Sequence, residues 1–177
     1  LKEINMVTDD SRLHQWILFQ KALFERHPAR NPTYGSAKTV KSLTRKNVFD
    51  YYGRHYVASN MIISVAGNVG NVKEKIEKYF GDIKPKISPK KNEVKEPVQS
   101  RQKKVVQKKK TLNSYMVLGY KTVSRMHRDS YVFDVIAGIL GRGQSGWMFD
   151  EIRNKRGLAY QVGINNEQEN NHGFFAV

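Results

Sequence analysis

Few residues in this chain have both the type and the spacing for chemistry. The five histidines (His14, His27, His55, His127 and His172) never recur at His-x-x-His or His-x-x-x-His steps, so no two would reach one metal ion from a single helical turn. The absence of cysteine removes thiolate metal sites, a thiol nucleophile and disulfide staples. No Gly-x-Ser-x-Gly elbow occurs. With 16 Asp and Glu against 31 Lys and Arg, carboxylates are too sparse to point to a paired-carboxylate hydrolase. What remains is the stretch from Ser145 to Tyr160, preceded by the glycine-rich Leu140–Gln144. It reads as loop, helix and strand: Ser145 as N-cap, Met148, Phe149 and Ile152 as the apolar face, Gly157 as the stop. Its basic last turn suits the negative end of a helix. Arg153 then falls on the helix and Tyr160 on the following strand, with the turn at Gly157 placed to bring them together. By residue type alone this is not a complete active site, and an ordinary helix with a solvated basic end is the simpler account of it.

The elements that must position these residues begin with helical spacing over residues 1 to about 26, broken or capped at Asp9-Asp10-Ser11 and ended by Pro28. His27 to Gly35 is a loop with two prolines. Thr44 caps a second helix with Val48, Tyr51, Tyr52 and Tyr56 on its buried side. Met61–Ala66 reads as a central strand, and Val72, Ile76 and Phe80 mark a helix stopped by Gly81. Lys104–Lys110 alternates weakly, Tyr115–Tyr120 reads as a strand, and Asp129 or Ser130 caps a helix carrying Phe133 and Ile136. Ala159–Ile164 and Gly173–Val177 are the arms of a hairpin around a polar turn from Asn165 to His172. Runs of helices with hairpin-type strands predict an α+β fold, with antiparallel sheets flanked by helices.

The net charge of +15 is unevenly placed. Residues 84–110 hold eleven Lys or Arg against Glu93 and Glu96. The prolines at 85, 89 and 97 make residues 84–102 a self-repelling basic linker. A basic nucleic-acid-binding module is one reading of that charge, but the segment lacks the aromatics on which bases stack, which weighs against nucleic acid. No apolar run is long enough to span a membrane, so no membrane partner is expected, and with no signal or transmembrane segment visible a cytoplasmic location is expected. The chain opens in a helix and closes in a strand, as expected of a piece of a longer protein.

Three groups of segments together resemble the pitrilysin-type zinc peptidases, the family of insulin-degrading enzyme and the mitochondrial processing peptidase. The first is Glu3-Ile-Asn-Met6 with Asp9, like the family's Glu-Ile-x-Met-x-x-Asp helix. The second runs from His27 to Gly35, then through Tyr51-Tyr52, His55–Met61 and Val65–Val69. The third is Leu140–Gly146 through Ile152-Arg-Asn-Lys-Arg-Gly-Leu-Ala-Tyr160. Trp147 and Arg142 depart from the family's usual residues at their positions.

The resemblance implies two tandem metallopeptidase-like half domains. Residues 1–83 would be the C-terminal half of the zinc-binding domain, 84–102 the linker, and 103–177 the N-terminal half of a second domain. It implies Zn2+ in the full-length protein, with Glu3 as the third ligand and the His-x-x-Glu-His helix outside the chain. It gives Arg153 and Tyr160 the role of a clamp on the substrate backbone and the developing oxyanion, supplied in trans to the opposing half's zinc. Arg offers a charge that cannot be lost and Tyr an orientable O–H; Arg156 is a rival for Arg153. The activity implied is cleavage of unfolded or extended peptides in a closed chamber by a homodimer, or by a heterodimer with a related subunit. A non-catalytic partner subunit that only lends the Arg/Tyr pair is the alternative.

Overall fold

The computed structural model describes all 177 residues. It is α+β, as the patterning requires, and divides into two compact units: Leu1–Gly35 with Val94–Val177, and Ser36–Glu93.

The first unit begins with α1 (Lys2–Asp9) and α2 (Ser11–Leu23). They are separated where the sequence places the break: the Asp10 side chain accepts from the Arg12 backbone N–H at 2.8 Å, occupying a donor that the new helix leaves free. Three strands follow, β1 (Gly119–Thr122), β2 (Asn165–Gln168) and β3 (Gly173–Ala176), in the antiparallel order β1-β3-β2. Side chains alternate across a strand. Phe174 and Ala176 of β3 therefore face α2, where they close a core with Leu23, Phe24, Trp16 and Phe19. Phe175 faces the other way, 6.4 Å between ring centres from Phe133 of α6 (Ser130–Gly141). One helix thus covers each face of a small sheet. Gly119 is what lets α2 come so close: a Cβ there would lie 2.4 Å from the Phe175 carbonyl and 2.8 Å from the Phe19 ring.

The second unit holds α3 (Ala37–Ser42), α4 (Arg45–His55) and α5 (Val72–Phe80). Thr44 caps α4 through a reciprocal box, its Oγ1 accepting from the Asn47 N–H while the Asn47 carboxamide accepts from the Thr44 N–H. Gly81 follows α5 as expected.

Several expected elements differ. Met61–Ala66 forms no strand and pairs with none, with Ile62 98% exposed. The side chains of α4 expected to be buried (Val48, Tyr51, Tyr52 and Tyr56) are exposed. Of Tyr115–Tyr120 only Gly119 and Tyr120 enter the sheet, since the four residues of β3 set the length of the ladder. The polar stretch read as a turn supplies β2 instead: Asn165–Gln168 pairs with β3, and the turn shrinks to Glu169–His172. Lys104–Lys110 is exposed and forms no strand.

Candidate functional site: the Arg153 and Tyr160 face

After α6, the chain turns through Gly143–Ser145. Ser145 does not cap the next helix; its hydroxyl donates back to the Arg142 carbonyl at 3.0 Å. The helix that follows is wound wide, as a π-helix over Phe149–Asn154. It stops at Gly157, whose φ of +60° is open to glycine at little cost. The N–H of Gly157 donates to the Arg153 carbonyl and that of Leu158 to the Ile152 carbonyl, both at 3.0 Å, satisfying the last carbonyls and reversing the chain.

This reversal brings Arg153 and Tyr160 together. The guanidinium carbon lies over the Tyr160 ring, 4.5 Å from its centre, and over the Phe149 ring, 4.8 Å from its centre. The cation thus contacts two aromatic faces. Tyr160 is 83% exposed, so its hydroxyl is open to a partner. The neighbouring cations are engaged elsewhere. Lys155 bridges Asp150 at 3.0 Å and Glu151 at 2.6 Å, and Arg156 lies 3.6 Å from Glu151. The Lys155 ammonium in turn holds both carboxyls below their ordinary range, with Asn154 adding to the effect at Asp150. Arg153 makes no ion pair, which leaves its N–H groups as the available guanidinium donors on the Tyr160 face. Chemically, the face can donate to a carbonyl or an oxyanion.

Glu3 lies exposed in the first turn of α1. Its carboxylate acts on Tyr34, whose hydroxyl is buried without a hydrogen-bond partner; burial first, and then Glu3, push that phenol up. No three His, Cys, Asp or Glu side chains converge anywhere in the chain. These residues alone do not compose a metal centre, and Glu3 could furnish only part of one.

A second polar cluster was not legible in the sequence. Glu96, read as part of the solvated linker, is buried to 14% side-chain exposure. Its carboxylate accepts from the backbone N–H groups of Glu25 (2.6 Å), Arg26 (2.8 Å) and His27 (2.7 Å) and from the Lys121 ammonium (2.6 Å). Burial pushes this carboxyl up, but the Glu25 N–H, Lys121 and the Arg26 and His27 N–H groups outweigh it and hold it at about 2. Beside it, the His27 and His172 rings lie 4.5 Å apart, tilted by 41°. Burial, and then His27, lower His172, with Glu169 opposing. A carboxylate reading backbone N–H groups leaves no signature in the types of the residues that donate.

No helix of the chain is long and apolar enough to cross a membrane. The model of the peptidase M16 inactive domain matches residues 42–177. An uncharacterized zinc protease from Mycobacterium leprae is 30% identical over 92% of this chain and 37% of its own length. Another from Bacillus subtilis is 28% identical over 91% of this chain and 39% of its own length. The chain thus spans less than two-fifths of these relatives. Among solved structures, a protease from Helicobacter pylori superposes with a TM-score of 0.85 at 26% identity, over 99% of this chain and 44% of the other. A peptidase M16 inactive domain from Pseudomonas fluorescens shares the fold, with a TM-score of 0.74 at 17% identity over 99% of this chain and 43% of the other. With most of its length matched by the family model and nearly all of it by the H. pylori fold, the chain belongs to the pitrilysin-type M16 peptidase family.

Proposed function

We propose that this chain is part of a zinc-dependent endopeptidase that cleaves unfolded or extended peptides in a closed chamber, working as a homodimer or as a heterodimer with a related subunit. In this reading residues 1–83 complete the zinc-binding domain, 84–102 link it to the next, and 103–177 begin the domain that bears Arg153 and Tyr160. The observation that carries it is the free Arg153 guanidinium stacked on an exposed Tyr160 while Lys155 and Arg156 are held by Asp150 and Glu151.

When bound, zinc supplies Lewis acidity toward the scissile carbonyl. Glu3 would hold it together with two histidines beyond this chain. Arg153 and Tyr160 hold the peptide backbone and donate to the oxygen on which charge develops. Such donors accelerate a reaction because they are already in place when the charge appears. In the full-length protein, Arg153→Ala and Tyr160→Phe should each reduce turnover roughly ten- to a thousand-fold, with zinc content unchanged. Wild-type turnover in both variants would remove this role.

A second reading has its own support: the matching family model is that of an inactive domain. The parent would then be a non-catalytic partner subunit that lends the same pair. A His-x-x-Glu-His helix upstream of Glu3 in the full-length sequence decides for the enzyme, and its absence for the partner.

A further inference from the structure

An arginine on an exposed helix samples many rotamers, so a donor role demands something that holds it. The i,i+4 step from Phe149 to Arg153 falls within the π-helix, a winding that recurs at functional sites, and it places the Phe149 ring under the guanidinium. Phe149 is half-buried, whereas Tyr160 is 83% exposed. A guanidinium held against two rings keeps its N–H groups free, and these donate in its plane.

We propose that Phe149 is a positioning residue: with Tyr160 it holds the Arg153 guanidinium by cation–π contact, so that its N–H groups are in place for the substrate carbonyl. This rests on the donor role given above to Arg153 and Tyr160.

The test uses the full-length protein with Phe149→Leu, Phe149→Met and Phe149→Tyr, measuring kcat, KM, zinc content and the NMR resonance of the Arg153 Nε–H. Leu and Met remove the aromatic face and keep apolar bulk, so one serves if the other fails to fold; Tyr keeps the face. The expected result is a fall in kcat of roughly three- to thirtyfold for Leu and Met, the range between an exposed and a desolvated cation–π contact. KM and zinc content should stay within twofold, the ring-shifted Nε–H should move toward its free position, and Tyr should restore both kcat and shift. Wild-type kcat in Leu and Met while Arg153→Ala is slow would overturn this positioning role and leave the donor role standing. An equal loss in Tyr would overturn it too, since that marks mere packing. If Arg153→Ala is itself silent, the donor role fails; the Nε–H shift then decides separately whether Phe149 holds the arginine.

Discussion

Arg153, Lys155 and Arg156 crowd one helix end, and their partners tell them apart. Glu151 takes Lys155 and Arg156, and two aromatic rings take Arg153. Arg156→Ala should therefore leave turnover within about twofold, because an exposed ion pair contributes little. A loss as large as that of Arg153→Ala, in the same peptide-cleavage assay, would reassign the donor. Glu3 makes a different prediction. Alone it cannot hold zinc tightly, so calorimetry on this 177-residue chain should detect no tight binding. In the full-length protein, Glu3→Gln should lower bound zinc measured after dialysis, and unchanged zinc would release Glu3 from that role.

Among the elements, most caps and stops were legible from residue type, because each acts over a few neighbouring positions; Ser145 is the exception, its hydroxyl donating back to the Arg142 carbonyl. Asp10, Thr44, Gly81 and Gly157 all fall at the helix ends where the sequence puts them. Strands were less legible, because a strand depends on a partner far along the chain. Met61–Ala66 has the composition and no ladder; Asn165–Gln168 has the ladder and a turn-like composition. At the site, Arg153 and Tyr160 could be placed near each other from the glycine between them. The second ring, Phe149, could not, since an apolar face at helical spacing implies only packing. Glu96 was hidden for a related reason: its partners are mostly backbone. Replacing it with Gln would leave the Lys121 ammonium and several N–H groups short of a charged acceptor, so Glu96→Gln should lower the unfolding free energy by about 2–4 kcal/mol in urea titrations. Removing the α4 cap with Thr44→Ala should cost only about 1 kcal/mol.

For the molecule as a whole, these groups set how stability responds to acid. His172 has a depressed folded pKa, so the unfolded chain binds the extra proton first, and stability declines as pH falls below its ordinary 6.5. The charged groups facing it are Glu167, at 3.9 Å, and Glu169; the His27 ring lies tilted against its own. Glu96 gives a second, lower step. Its contribution is complete above its ordinary 4.5 and is lost as pH falls toward about 2, a loss on the order of 3 kcal/mol. Urea midpoints measured from pH 7 to pH 2.5 should show both steps, with His172→Asn removing the upper and Glu96→Gln shrinking the lower, to which the depressed Asp150 and Glu151 carboxyls also add. A profile that neither substitution changes would mean that neither group alters its proton affinity on folding. The unit that contains them has a further property: it is interrupted. The chain leaves it at Gly35 and returns at Val94, and Phe24 packs against Phe174, about 150 residues later. At a synthesis rate of about 5–20 residues per second, that partner reaches the ribosome surface roughly 8–30 s behind. Throughout that interval Trp16, Phe19, Leu23 and Phe24 lack the β3 side chains that cover them in the finished unit. This core therefore cannot close before β3 is made, however stable it is once complete.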